Sequence, residues 1–137
     1  SMIERYSADG RIVSAMYLTD ARPLVPCWLL VTRDEELILG DALRERIIVM
    51  DTRARIITMI ACPHVSSAVP AKCAGGGWLL LRPQANTFAI YGADGVAMEE
   101  YSLAGLEVAA LLMPDARTCW AFDTQRWRWL CFERGRR

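Results

Sequence analysis

Two residue types are nearly absent from this chain: Lys72 is its only lysine and His64 its only histidine. Any histidine-dependent mechanism therefore rests on His64 alone, and no serine, histidine and acid arrangement is visible around it. Net charge is absent too, with 16 Lys and Arg against 16 Asp and Glu. With no basic surplus to neutralise a phosphate backbone, nucleic acid is not expected as a main partner. No apolar run approaches the roughly twenty residues that a membrane-spanning helix needs, so no membrane partner is expected. Ser1 ahead of Met2 reads as an expression remnant, and no signal-peptide pattern follows it. The five cysteines (Cys27, Cys62, Cys73, Cys119 and Cys131) are odd in number and irregular in spacing. They do not make a disulfide framework and fit reduced, mostly buried thiols, which points to an intracellular protein, cytoplasmic or nuclear. Against these gaps, 53% hydrophobic and 23% charged residues describe one folded domain over 2–137 with a real core.

The chain repeats itself. Ile3–Arg22 (IERYSADGRIVSAMYLTDAR) and Met98–Arg117 (MEEYSLAGLEVAALLMPDAR) match without a gap at nine of twenty positions, among them Tyr6/Tyr101, Gly10/Gly105 and Asp20-Ala21-Arg22/Asp115-Ala116-Arg117. A weaker third copy aligns Arg55–Ile60 with Arg11–Met16. Self-similarity of this kind means one structural unit built more than once. The steps between copies are unequal, and Pro63–Gly77 (PHVSSAVPAKCAGGG) reads as the inserted long loop. The units expected are approximately 2–46, 47–97 and 98–137.

Each unit continues alike. The runs CWLLV (Cys27–Val31), GWLLL (Gly77–Leu81) and CWAF (Cys119–Phe122) each carry a tryptophan. Polar turns follow at Thr32–Glu36, Pro83–Asn86 and Asp123–Arg126, and then further apolar runs closed by Gly40, Gly92 and Gly135. Short apolar runs at this spacing predict an all-β repeat of four strands per unit. The segment 97–113, rich in Glu, Leu, Ala and Met and stopped by Pro114, taken alone predicts a helix and an α+β domain. Its copy at 3–22 carries β-branched residues and Asp9-Gly10, so both are read as strand–turn–strand, with glycine supplying positive φ in the turn. A two-residue turn at Thr124-Gln125 would set Trp120 against Trp129 and Phe122 against Trp127.

Four-stranded units of this length resemble β-propeller blades. VAMEEY (Val96–Tyr101), IERY (Ile3–Tyr6) and Met113-Pro114-Asp115-Ala116-Arg117 look most like divergent kelch repeats, with WD40-type repeats a weaker match. The kelch glycine doublets are single glycines here, and the expected tryptophan after the tyrosine is Val13, Ile57 or Val108. The resemblance implies about three four-stranded blades, half of a six-bladed ring. Such a half leaves unpaired blade faces, to be closed by a second copy in a homodimer or by the rest of a longer protein.

The chemistry-bearing residues are sparse. Cys62, His64 and Cys73 are the only soft-ligand cluster and lack a fourth ligand for zinc, so no metal is expected. Gly75-Gly76-Gly77 lacks the Gly-Lys-Ser/Thr of a phosphate loop and reads as a turn. Glu35-Glu36 and Glu99-Glu100 are adjacent pairs, whose side chains point to opposite faces of a strand. With no catalytic set and no cofactor motif, the expectation is a non-enzymatic protein-interaction module or scaffold whose loops grip another protein. The expected partner-binding residues are Arg22, His64, Trp78, Arg117, Arg126 and Arg128, the arginines because they recur or flank tryptophans. The alternative is a small-ligand, sugar-binding or catalytic propeller domain, or an α+β signalling domain.

Overall fold

Strands account for nearly all the regular structure. The computed structural model describes residues 2–17, 24–53 and 55–134. Among these residues thirteen strands run β1 (Met2–Tyr6), β2 (Ile12–Tyr17), β3 (Pro26–Val31), β4 (Leu37–Asp41), β5 (Arg46–Met50), β6 (Ile56–Ala61), β7 (Val69–Lys72), β8 (Trp78–Arg82), β9 (Thr87–Tyr91), β10 (Ala97–Ser102), β11 (Val108–Leu112), β12 (Thr118–Asp123) and β13 (Arg128–Glu133). Every pairing is between consecutive strands and antiparallel, giving sheets of two (β1-β2), four (β3 to β6), four (β7 to β10) and three strands (β11 to β13).

The sheets stack in chain order, and the sequence shows why. The middle strands LILGD (β4) and RIIVM (β5) are continuous apolar runs buried on both sides. Flanking strands such as IITMIA (β6) and AMEEYS (β10) alternate between exposed and half-buried. A strand covered on both faces needs no polar alternation, whereas one near a sheet edge does. Leu37, Leu39, Ile48 and Met50 face the first sheet and meet Ile3. Ile38, Ile47 and Val49 face the third sheet, where Trp78, Leu80 and Tyr91 meet them. Leu79, Leu81, Phe88 and Ile90 turn the other way, onto Leu111, Cys119 and Ala121 of the last sheet.

The 97–113 segment is strand, turn and strand, so the helical alternative fails there. The apolar spacing that mimics a helix serves two strands in different sheets. The sheets also cut the chain differently from the expected units: they span 26–61, 69–102 and 108–133. Pro63–Gly77 is not one loop, because Val69–Lys72 inside it opens the third sheet. CWLLV, GWLLL and CWAF are not equivalent either, since the first lies on an outermost strand of its sheet and the other two on second strands.

The duplicated stretch joins unlike places. In 3–22, β1 and β2 pair with each other, Met2 opposite Tyr17 and Tyr6 opposite Ile12. In 98–117, β10 closes the third sheet and β11 opens the fourth. Gly10 and Gly105 both adopt positive φ, 86° and 79°, so the local conformation is shared while the pairing is not.

The repeat that governs the fold has a step of 41 residues. Asp41, Arg82 and Asp123 each end the second strand of a sheet, opposite Arg46, Thr87 and Arg128. The four-residue turns that follow each finish on a left-handed residue: Glu45 (φ 48°), Asn86 (φ 51°) and Trp127 (φ 49°). The last turn therefore spans 124–127 rather than two residues. Trp120 lies opposite Cys131 and Phe122 opposite Trp129, a two-residue slip from the expected register that keeps every side chain on its expected face.

Candidate functional site

The three turns, 42–45, 83–86 and 124–127, lie at one end of the sheets, together with the connections 62–68 and 103–107. In the second sheet Asp41 is fully buried and organises its turn. Its carboxylate accepts from Arg46 Nε (3.0 Å) and from the backbone N–H of Val25 and Leu43 (both 3.2 Å), with Arg44 Nη1 at 3.6 Å. Asp123 repeats the design. It accepts from Arg126 Nη1 (3.3 Å), Arg128 Nε (3.4 Å) and the N–H groups of Glu107 (3.4 Å) and Gln125 (3.2 Å). Burial opposes ionisation at both, but these donors outweigh it and hold each carboxyl below the ordinary aspartate range.

In the third sheet Arg82 stands at the aspartate's place and Thr87 at the arginine's. Arg82 Nη2 donates to the Tyr91 hydroxyl (2.8 Å), and Tyr91 stacks on Trp78 with ring centroids 4.2 Å apart. Burial pushes the Tyr91 phenol and the Cys62 thiol up, with the Arg82 charge opposing in both cases. Arg82 Nε is buried without a hydrogen-bond partner, and among the described residues no carboxylate pairs with it. A cavity of about 160 Å³ opens beside it, lined by Pro63, His64, Ser67, Ala68, Arg82, Gln84 and Ala85.

The expected site residues meet different fates. His64 is exposed and lines this cavity, its own N–H donating to Glu45 Oε1 at 3.2 Å. Trp78 is a correction. It is completely buried between the second and third sheets, because the apolar run that carries it is a middle strand, so it has no surface to offer a partner. Arg126 and Arg128 are both committed to Asp123, and Arg126 also donates to the Gly105 carbonyl (3.1 Å). Arg117 lies at the opposite end of the sheets, where Asp115 accepts from its backbone N–H (2.7 Å) and from that of Thr118 (2.8 Å). Arg22 and its neighbour Asp20 lie outside the described residues. Cys62 and Cys73 belong to separate cores, and no metal-ligand group forms among the described residues. Gly77 (φ 75°) backs onto the Tyr91 carbonyl, which a Cβ there would meet at 2.2 Å, so close approach of backbone explains that glycine.

One feature escaped the sequence reading. Arg82 has no motif around it, and only its equivalence to two aspartates marks it. Trp127 is 82% exposed in a left-handed conformation that a bulky side chain rarely adopts. It sits beside the outer side of the last sheet, where Leu112, Trp120 and Trp129 are also exposed.

A streptogramin B lyase superposes on this chain with TM-score 0.64 at 13% identity, over 99% of this chain and 49% of that one. The fold is β-propeller-like. A catalytically inactive histidine-to-alanine variant of virginiamycin B lyase from Staphylococcus aureus, with quinupristin, gives 0.59 at 19% identity, over 88% and 41%. A protein of unknown function from Bacteroides caccae gives 0.56 at 12% identity, over 96% and 50%. The chain thus spans about half the length of these propeller-like structures. No family model and no curated protein matches the sequence. The likeness supports a propeller but not kelch-like repeats specifically. It also overturns the exclusion of enzymes drawn from the missing catalytic set, because two of these similar folds are lyases. Among the described residues no helix is long and apolar enough to cross a membrane.

Proposed function

We propose that this chain is a propeller-type protein-interaction module, and that its partner is a second copy of itself. The observation that carries the reading is the outer side of the last sheet. The contacts between the second and third sheets and between the third and last are filled mainly by aliphatic and aromatic side chains, yet Trp129 is 46% exposed beside Trp120 and Leu112. An open apolar face of this kind with a protruding tryptophan has the composition of an interface centre. The first sheet is the other uncovered end of the row and exposes Met2, Tyr6, Ile12 and Val13. Two copies arranged head to tail about a two-fold axis bury both faces at once and close a ring. Trp127 and the paired Arg126 and Arg128 form the rim of that contact. Five unpaired thiols support an intracellular setting for the assembly.

Sedimentation equilibrium tests this. A mass twice the 15.4 kDa of one chain is expected, falling to one chain in Trp129→Glu. A clean monomer at micromolar concentration, or a Trp129→Glu dimer as tight as the unmodified one, overturns it.

A further inference from the structure

We propose that the Arg82 cavity binds a small oxyanion, a carboxylate or phosphate group, which answers the charge of Arg82 as the arginines of the neighbouring sheets answer Asp41 and Asp123. Three observations converge. The three sheets share one turn design, and in two of them a carboxylate gathers two arginines and two backbone N–H groups. The middle sheet keeps the design but reverses the charge, with Arg82 for the aspartate and Thr87 for its arginine. Gln84, two residues past Arg82, matches Leu43 and Gln125, whose N–H groups donate to their aspartates. Second, the Arg82 guanidinium is committed only to a neutral phenol, and its buried Nε has no partner. No carboxylate among the described residues answers the guanidinium's charge, and an oxyanion in the cavity that Arg82 lines would do so through charge-assisted hydrogen bonds. Third, the space is there: a cavity of about 160 Å³ is enough for a phosphate or a short carboxylic acid. Ser67, His64 and Gln84 line it with further polar groups.

Glu45, at the end of the 42–45 turn, accepts from the His64 N–H and makes no ion pair with Arg82. Asn86 finishes the turn with its own N–H donating to the Pro83 carbonyl (3.2 Å), so it does not compete for the site. The ligand is thus bound by Arg82 and oriented by the 64–67 and 83–85 segments. This holds whether or not two copies assemble, since the cavity lies between the second and third sheets of one chain.

The test is amide chemical-shift mapping of the whole chain titrated with sodium phosphate, and separately with sodium acetate, against sodium chloride at matched ionic strength. A saturable shift confined to the amides of 64–68, 82 and 84–86 is expected with phosphate, acetate or both, and not with chloride. The two arms decide which oxyanion the site prefers. In the double variant Arg82→Asp/Thr87→Arg, which rebuilds the neighbouring turns, the shift should vanish while the chain stays folded. If that variant does not fold, Ser67→Ala and Gln84→Ala, both on exposed positions, should each weaken binding several-fold. Arg82→Lys, which keeps charge but loses the planar fork, should weaken it by about tenfold. Identical responses to chloride, phosphate and acetate, or a phosphate response undiminished in these variants, overturn the proposal.

Discussion

The first and last of the three turns are built from the same parts and put to different uses. Around Asp41, the Arg46 and Arg44 side chains are only 16% and 23% exposed, and Arg46 approaches to 3.0 Å. Around Asp123, Arg128 and Arg126 are 49% and 48% exposed and stand at 3.4 and 3.3 Å. A charge pair held out of water is stronger, and costs more to break, than one that water screens. The first turn is a strut inside the row of sheets. The last keeps the strut's geometry but opens its arginines to solvent, with Trp127 thrust out between them.

The largest effect should come from removing the buried carboxylate. Asp41→Ala leaves Arg46, Val25 N–H and Leu43 N–H without their acceptor and should cost about 3 kcal/mol in urea unfolding. Asp123→Ala should cost less and lose most of its effect at high salt; equal costs would dissolve the distinction.

Acid comes next. Both aspartates are held below the ordinary range, so the stability they contribute is fully present above about pH 4. It is lost as pH falls through their lower folded values. The urea midpoint should therefore fall steeply below about pH 4, and Asp41→Asn should flatten that fall more than Asp123→Asn.

The smallest effect is conformational. Trp127→Gly relieves a left-handed residue and should leave stability unchanged or raise it by up to about 1 kcal/mol. The same change should loosen the assembly measured by sedimentation. A loss of folding stability without loss of assembly would show that Trp127 supports its own turn and nothing else.

Much of the fold was legible because strands announce themselves locally. The apolar runs at 27–31, 37–39 and 87–91 and the turns at 32–36 and 83–86 follow from composition alone. The duplicate at 3–22 argued correctly against a helix at 97–113. What it could not carry was pairing: Gly10 closes a hairpin while Gly105 bridges two sheets, a difference set by what lies beyond each strand. The governing step of 41 residues was hidden because its burial positions accept any apolar side chain, as Ile38/Leu79 and Met50/Tyr91 illustrate. Among its polar positions Asp41/Asp123 and Arg46/Arg128 recur, and the middle sheet interrupts both. That interruption is also why the site at Arg82 carried no motif, and His64 was singled out only as the sole histidine and as a member of the Cys62, His64 and Cys73 cluster. Trp78 was misassigned because a tryptophan next to glycines reads as a loop residue, whereas the 78–82 run it opens is buried on both sides.

The cysteines give the molecule a built-in reporter. Cys73 and Cys119 are sealed in the last core, where burial pushes the Cys119 thiol up to about 12 and leaves it inert to alkylation. Cys27 and Cys131 are exposed, Cys27 on an outermost strand of the second sheet and Cys131 on an outermost strand of the last. Cys131 lies directly across from Trp120 on the face left open in a single chain. Its rate of alkylation, taken as a ratio to that of Cys27 in the same sample, therefore counts how often that face is uncovered, with no label introduced and no residue changed.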